Sequence, residues 1–447
     1  MIYALIFAIA FIIIATAKFK VHPFLALLTA AFGYGIAVQM PLQDVVKSVN
    51  DGFGGTIGYI GIVIIAGTII GTFLEKTGGA IRLAKSTLKI TGEKNVPATM
   101  SIMGFVVSIP VFCDSGFVIL SSLNKALTRK AKITLASSAI ALSLGLYATH
   151  TMVPPTPGPI AAAGIVEADL GQVIMYGLMA AFVACFVGWI FSVTYASKIQ
   201  ISPDAKEGEE ENSVKMEELE KNAPCVITSI IPILLPIVLI VLSSIAKYPS
   251  KPFGEGQFID LLNFFGQPVV ALLIGVVLAF LLPKNFESKM ISSSGWVGEA
   301  ILAAATIIII TGSGGAFGKV LQNSGIAKEI GASLQDLNLG IFLPFIIAAA
   351  IKTAQGSSTV AIITTASLLA PLLGALGLDS EAARALSVIA IGAGAMVVSH
   401  ANDSYFWVVT QFSNMDTKDG FKLQTLGTLI EGVAAMIAVY VISLFVL

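Results

Sequence analysis

The chain has 447 residues, of which 56% are hydrophobic and only 12% charged, and its formal net charge is −1. About a quarter of the residues in an ordinary soluble domain are charged, so a soluble fold is excluded, and a near-neutral balance without a basic tail argues against a nucleic-acid partner. Cys113, Cys185 and Cys225 give neither a disulfide framework nor metal-ligand spacing, and no metal or cofactor is expected.

From the N-terminus onward, apolar runs of membrane-crossing length recur at 2–17, 24–38, 57–74, 133–149, 173–195, 225–246, 267–282 and 424–447. A spanning helix takes about 20 largely apolar residues, fewer where the bilayer thins. The first run has no charged residue ahead of it and no small-residue cleavage site, and reads as a retained helix. Between the third and fourth runs, 96–109 and 116–127 are apolar stretches broken by Ile109-Pro110-Val111-Phe112-Cys113-Asp114-Ser115-Gly116. Each is too short to cross comfortably. Both outer flanks are basic, with Lys89 and Lys94 before and Arg129, Lys130 and Lys132 after. A hairpin that enters and leaves from the cytoplasm accounts for both facts, its non-helical tip being tolerated only where protein or a polar cavity satisfies it. The next helix cannot run straight, because His150-Thr151-Met152-Val153-Pro154-Pro155-Thr156-Pro157-Gly158-Pro159 packs four prolines into six residues. Proline removes a backbone donor and pushes its predecessor out of the α region.

Residues 202–223 form the main composition break, with eight acidic and three basic residues. They read as a hydrophilic cytoplasmic linker between an N-terminal half, 1–201, and a C-terminal half, 224–447. In the second half, apolar stretches 341–354 and 360–376 flank Gln355-Gly356-Ser357-Ser358-Thr359 without clustered lysines, a hairpin expected to enter from outside. Beyond it, Ser399-His400-Ala401-Asn402-Asp403-Ser404-Tyr405-Phe406-Trp407 is a polar cluster after a glycine-rich apolar run.

The halves repeat each other. Gly67, Gly71, Leu74 and Gly78 match Gly314, Gly318, Leu321 and Gly325 at an offset of 247; Ser115 and Val118 match Ser357 and Val360 at 242; Ala141, Leu142, Ser143, Met152 and Val153 match Ala385, Leu386, Ser387, Met396 and Val397 at 244. Internal repeats of this kind are common in secondary transporters. With the N-terminus outside, and five spans plus one hairpin per half, segments 18–22, 75–95, 125–132, 196–224, 284–297 and 413–423 are cytoplasmic and hold 19 Lys and Arg against six outside. This satisfies the positive-inside rule. Lys352 is left within the membrane, and the second half is inverted relative to the first.

The segments GFGGTIGYIGIVIIAGTIIGTFLEKTGG, PVFCDSGFVIL, HTMVPPTPGPIAAAG, AQGSSTVAIITTA and SHANDSYFWV resemble the gluconate:proton symporter (GntP) family, and the resemblance covers nearly the whole chain except the linker. It implies proton-coupled uptake of gluconate or a similar hydroxy-acid through the inner membrane. That family is similar in architecture to elevator-type carriers that are usually homodimers. The expected fold is therefore an all-α polytopic membrane protein of two inverted repeats.

The substrate is expected between the hairpin tips and the broken helices, whose half-helix N-termini attract a carboxylate. The candidate residues are Asp114, Ser115 and Gly116 at the first tip, His150, Thr156 and Gly158 at the first break, Lys352, Gly356, Ser357, Ser358 and Thr359 around the second tip, and His400, Asn402, Asp403 and Ser404 at the second break. Asp114 and Asp403, carboxylates at membrane depth, are the candidate proton carriers, or else helix caps. Asp114 is the first choice, because sodium-coupled relatives hold their cation at that tip with neutral oxygens. His150 and His400 are working or structural histidines. Ser357, Ser358 and Thr359 either touch ligand or cap a helix. Lys352 pairs with Asp403, Asp114 or a substrate carboxylate, or else snorkels outward. Glu299 and Glu431 lie without polar neighbours and receive no role. Gly312–Lys319 fails the phosphate-loop register and reads as close helix packing. The rivals are a sodium-coupled or exchange carrier for another carboxylate, and an intramembrane hydrolase using Ser357 or Ser115.

Overall fold

A backbone in lipid must satisfy its polar groups within the segment, and helices do so one residue at a time. The computed structural model describes residues 1–92, 95–203, 219, 221–246, 252–326 and 339–447, and among them there is no strand. Most of the expected linker, with Lys94, Lys247, Lys251 and Lys328, lies outside the described residues. The first half comprises α1 (Ile2–Ala17), α2 (Pro23–Ala37), α3 (Leu42–Lys76), α4 (Gly79–Thr91), α5 (Val96–Val107), α6 (Cys113–Ala131), α7 (Leu135–Met152), α8 (Pro157–Ile165) and α9 (Leu170–Thr194). The second comprises α10 (Val226–Ala246), α11 (Gln257–Phe265), α12 (Pro268–Ala279), α13 (Trp296–Ser324), α14 (Phe342–Gln355), α15 (Ser358–Leu369), α16 (Glu381–Gly394), α17 (Ser404–Phe412) and α18 (Thr417–Val446).

Four of the described helices are long and apolar enough to cross a membrane alone, and two bent pairs, within α3 and at α11–α12, raise the number to six. The other apolar helices are shorter, as the broken runs lead one to expect. Helix α3 begins 15 residues before the apolar run that announced it. The polar start Leu42–Thr56 hid the continuation; it packs on α13. The basic stretch after α3 is itself helical as α4.

Contacts gather the helix ends into two sets. One set contains the Lys76–Glu299 ion pair at 2.6 Å, Arg82 donating to the Pro224 carbonyl at 2.9 Å, Arg129 donating to the Pro203 carbonyl at 3.1 Å, and Asn414 donating to the Ser202 carbonyl at 3.1 Å. The other contains Asn323 on Ser48 at 2.8 Å, Ser244 on Asp169 at 2.5 Å, and Arg384 on the Val166 carbonyl at 3.0 Å. Segments assigned to one side from their lysines thus meet one another. Helix α3 runs from the second set to the first, and α13, with which it packs, runs the opposite way. The start of α5 and the end of α6 border one surface depression with Asn95, Lys132 and Thr134, so these two helices form a hairpin.

Glycine sets the α3–α13 crossing. A Cβ on Gly52 or Gly315 would run into the backbone of the facing helix. Gly314 and Gly318 lie against Ser367 of α15. The glycine run that imitates a phosphate loop is therefore a helix-packing surface inside α13.

Candidate functional site

Four half-helices begin at non-helical breaks: α6 at Cys113, α8 at Pro157, α15 at Ser358 and α17 at Ser404. Each hairpin packs on the half-helix of the opposite half, α15 on α8 and α6 on α17. The second contact includes an edge-on pairing of Phe117 with Tyr405 at 6.3 Å. In the first, Gly158 lets α8 approach, since a Cβ there would stand 3.0 Å from Ile362 and 3.9 Å from Thr359. Helix N-termini carry unsatisfied N–H groups and partial positive charge. Ser357 caps α15 by accepting from the Val360 N–H at 3.3 Å, and Asp403 caps α17 by accepting from the Tyr405 N–H at 3.0 Å. The N-termini of α6 and α8 have no side-chain cap. Thr156 turns away, donating to the Val153 carbonyl at 2.6 Å.

The charged centre joins the second hairpin to the second break. Lys352 Nζ lies 2.7 Å from Asp403 Oδ2, with side-chain exposures of 0% and 6%. The snorkelling alternative for Lys352 is thereby excluded: its stem turns inward, not to an interface. Ser399 donates to the same oxygen at 2.6 Å, and the Tyr147 hydroxyl approaches it at 3.5 Å. Asp403 is therefore both a cap and an ion-pair partner. His400 Nε2 meets the Thr353 carbonyl at 2.9 Å, and Asn402 donates to the Thr353 and Ala354 carbonyls at 3.0 and 3.2 Å. These two side chains satisfy the terminal carbonyls of α14 and tie tip to break. Gly356, at φ +94°, has no room for a Cβ beside the Asn402 carbonyl.

The first tip closes on this centre. Asp114 stands near enough to Asp403 and Lys352 for their charges to act on it. Its Oδ1 is buried without a hydrogen-bond partner, as are His150 Nδ1 and Asn402 Oδ1. Asp114 therefore does not cap α6, whose N-cap is Phe112. His150 is stacked on Tyr147 at 6.5 Å and faces Phe112 at 6.0 Å. Buried polar atoms without partners are uncommon in folded proteins, and each calls for an explanation such as a functional role or a bound water or ion. Ser115 lies beside Glu75 of α3, and Gly116 packs on Leu146. Ser358 lies beside Tyr147, whereas Ser404 and Ser357 are exposed.

Sequence reasoning left out Tyr147, Ser399 and Tyr405. Tyr147 precedes His150 by three residues, the spacing of one helix face, and that was its only signal. Glu299, expected to lack polar neighbours, is paired with Lys76; the partner comes from the end of α3, in the other half of the chain. A cleft of about 610 Å3 opens between α3 and α13 on one side and the ends of α8 and α15 on the other, lined among others by Asp51, Tyr59, Glu167, Lys319 and Arg384.

All-helical spans, broken helices and a buried charged centre define a multi-pass membrane transporter. The fold agrees: over 95% of this chain and 98% of the other, it is similar to the YdaH transporter of Alcanivorax borkumensis with a TM-score of 0.65 at 16% identity. MtrF of Neisseria gonorrhoeae is similar at a TM-score of 0.67 and 13% identity, over 96% of both chains. A model of the GntP family permeases matches residues 1–445, and the chain belongs to that family. It is 34% identical to a gluconate permease of Pseudomonas aeruginosa over 99% of this chain and 97% of that protein. It is 35% identical to the inner membrane permease YgbN of Escherichia coli over 93% and 92%, and 32% identical to the D-serine transporter DsdX of Escherichia coli over 99% and 98%. The chain is thus a multi-pass permease of the inner membrane and not an enzyme.

Proposed function

We propose that this permease imports a small sugar-acid anion, gluconate or a similar hydroxycarboxylate, by proton symport. The observation that carries the reading is Lys352, a fully buried cation at the centre approached by the N-termini of α6, α8, α15 and α17. A substrate carboxylate would exchange for part of the Asp403 contact on Lys352 and gain the uncapped N–H groups of α6 and α8. Substrate hydroxyls would meet Ser115, Thr156, Ser357, Ser358, Thr359, Asn402 and Ser404, with Gly116, Gly158 and Gly356 allowing close backbone approach. Asp114 is the proposed proton carrier, with Asp403 second. Once protonated, it places no negative charge beside the anion, so proton and substrate bind with mutual support.

The opposed directions of α3 and α13, and the exchange of hairpins between halves, support two inverted repeats, 1–201 and 224–447, joined by the linker 202–223. Ten spans and two re-entrant hairpins then move as an elevator in a homodimer, with the cleft between α3–α13 and α8–α15 as the outer access route. A second reading is favoured by the two carboxylates facing one ammonium: an amino acid such as D-serine, its ammonium on Asp114 and its carboxylate at Lys352. A counterflow panel of aldonates, hydroxy-acids and D- and L-amino acids in liposomes separates the two. Gluconate exchange with acid-outside accumulation is the expected result; exchange of amino acids alone would replace it with the second reading.

A further inference from the structure

Deep inside the same helix group lies a carboxyl with no assigned task. Glu431 of α18 is fully buried, and neither carboxyl oxygen has a hydrogen-bond partner. Gly188 of α9 lies against its Oε1. Among the described residues, Cys185 on α9 and Tyr405 on α17 lie close enough to feel its charge, and neither is a cation. Charged groups elsewhere on the packed helices are committed or distant in sequence. Lys352 on α14 is held by Asp403, Arg384 on α16 is bonded to Glu167 beside Glu381, His150 closes α7, and Lys418, Asp419 and Lys422 occupy the opening turns of α18 itself. An ionised carboxylate in such surroundings has nothing to offset its lost hydration.

Glu431 is nevertheless not isolated from the site. Gln424, Thr428 and Glu431, spaced four and three residues apart and all fully buried, form one polar stripe on α18. Ser143 donates to Gln424 Oε1 at 2.8 Å, and the Ser399 N–H donates to Thr428 Oγ1 at 3.0 Å, while the Ser399 hydroxyl holds Asp403. Thr428 thus touches Ser399 at the edge of the charged centre, and Glu431 follows it one turn further along α18 on the same face.

We infer that Glu431 is a second proton-carrying carboxyl of this permease, lying behind the substrate site one helical turn from the Thr428–Ser399 contact that borders Asp403. It takes its proton from water on the outer side as the site loads and returns it, by breaking the acid O–H bond, to water on the inner side after release; no other bond changes. Such a group lets the loaded helix assembly move without an unpaired buried charge, and it does not touch the substrate. The inference rests on the proton-symport reading above.

The test uses full-length protein in liposomes with gluconate. Wild-type protein must first accumulate gluconate under an acid-outside gradient; failure there removes the symport reading and this inference with it. Given that response, E431Q is expected to keep counterflow within about twofold and to accumulate gluconate to a clearly lower ratio than wild type under the same gradient, because only Asp114 then still couples a proton. Full gradient-driven accumulation by E431Q overturns the assignment to Glu431 and leaves the symport reading standing. Should E431Q show no counterflow, infrared difference spectra of detergent-purified protein on adding gluconate decide. A protonated-carboxyl band that changes in wild type and E431D but is missing in E431Q supports the assignment, and an unchanged band in E431Q overturns it.

Discussion

Lys352 and Asp403 illustrate what a buried charge demands. Taking either out of water costs several kcal/mol, recovered only with a close partner and further hydrogen bonds; here those are the 2.7 Å ion pair, Ser399 and the Tyr405 N–H. Lys352→Met leaves Asp403 buried without its cation and should destabilise the protein by about 3–5 kcal/mol. The double change Lys352→Met with Asp403→Asn should regain most of that loss in detergent thermal unfolding, yet fail to bind gluconate. Recovery of binding as well would assign Lys352 a purely structural role. Asp114 is a different case, because no partner holds its Oδ1. Asp114→Asn should therefore unfold at nearly the wild-type temperature. It should catalyse exchange between equal pools but accumulate gluconate to a lower ratio than wild type under a pH gradient, and full accumulation would take the proton away from Asp114.

At the scale of elements, glycine decides how closely helices pass. Gly52 and Gly315 face each other across α3 and α13 with no space for a side chain. Gly315→Leu should force these helices apart, reducing folded protein after extraction, whereas Gly54→Ala on the open side of α3, where a Cβ meets nothing within 4 Å, should be neutral. Gly356 combines a left-handed backbone with contact to the Asn402 carbonyl. Gly356→Ala is expected to shift the second tip away from its break. A tenfold or greater rise in the apparent gluconate Kd, with thermal stability within a few degrees of wild type, is the predicted signature. An unchanged Kd would show that the tip does not contribute to binding.

For the whole molecule, the two sets of helix ends make a statement about sidedness that chemistry can check. Cys225 is exposed at the start of α10, while Cys113 and Cys185 are buried. An impermeant thiol reagent should therefore label wild-type protein in inverted vesicles at Cys225 and leave it untouched in intact cells. With Cys225 changed to serine, a cysteine at Lys130 should repeat that pattern and one at Glu167, whose side chain is 82% exposed, should show the reverse. Labelling of Lys130 and Glu167 positions from the same side would break the expected arrangement of spans.

Much of this architecture was readable from the chain alone. The apolar runs, the proline-rich break at Pro154–Pro159 and the interrupted hairpins follow from backbone chemistry that acts locally, since a helix in lipid needs apolar length and proline ends it wherever it stands. The candidate site was legible for the same reason: charged and hydroxyl side chains at helix breaks have few uses inside a membrane. Which groups pair was not. Lys352 had three possible partners in the sequence, and only the approach of α14 to the second break selects Asp403. Tyr147 and Ser399 enter the site, and Lys76 finds Glu299, through packing between helices far apart in sequence. Glu431 looked like one more polar residue in an apolar helix until its surroundings showed it buried with no donor. Burial and pairing are properties of the space between elements, and only tertiary structure creates that space.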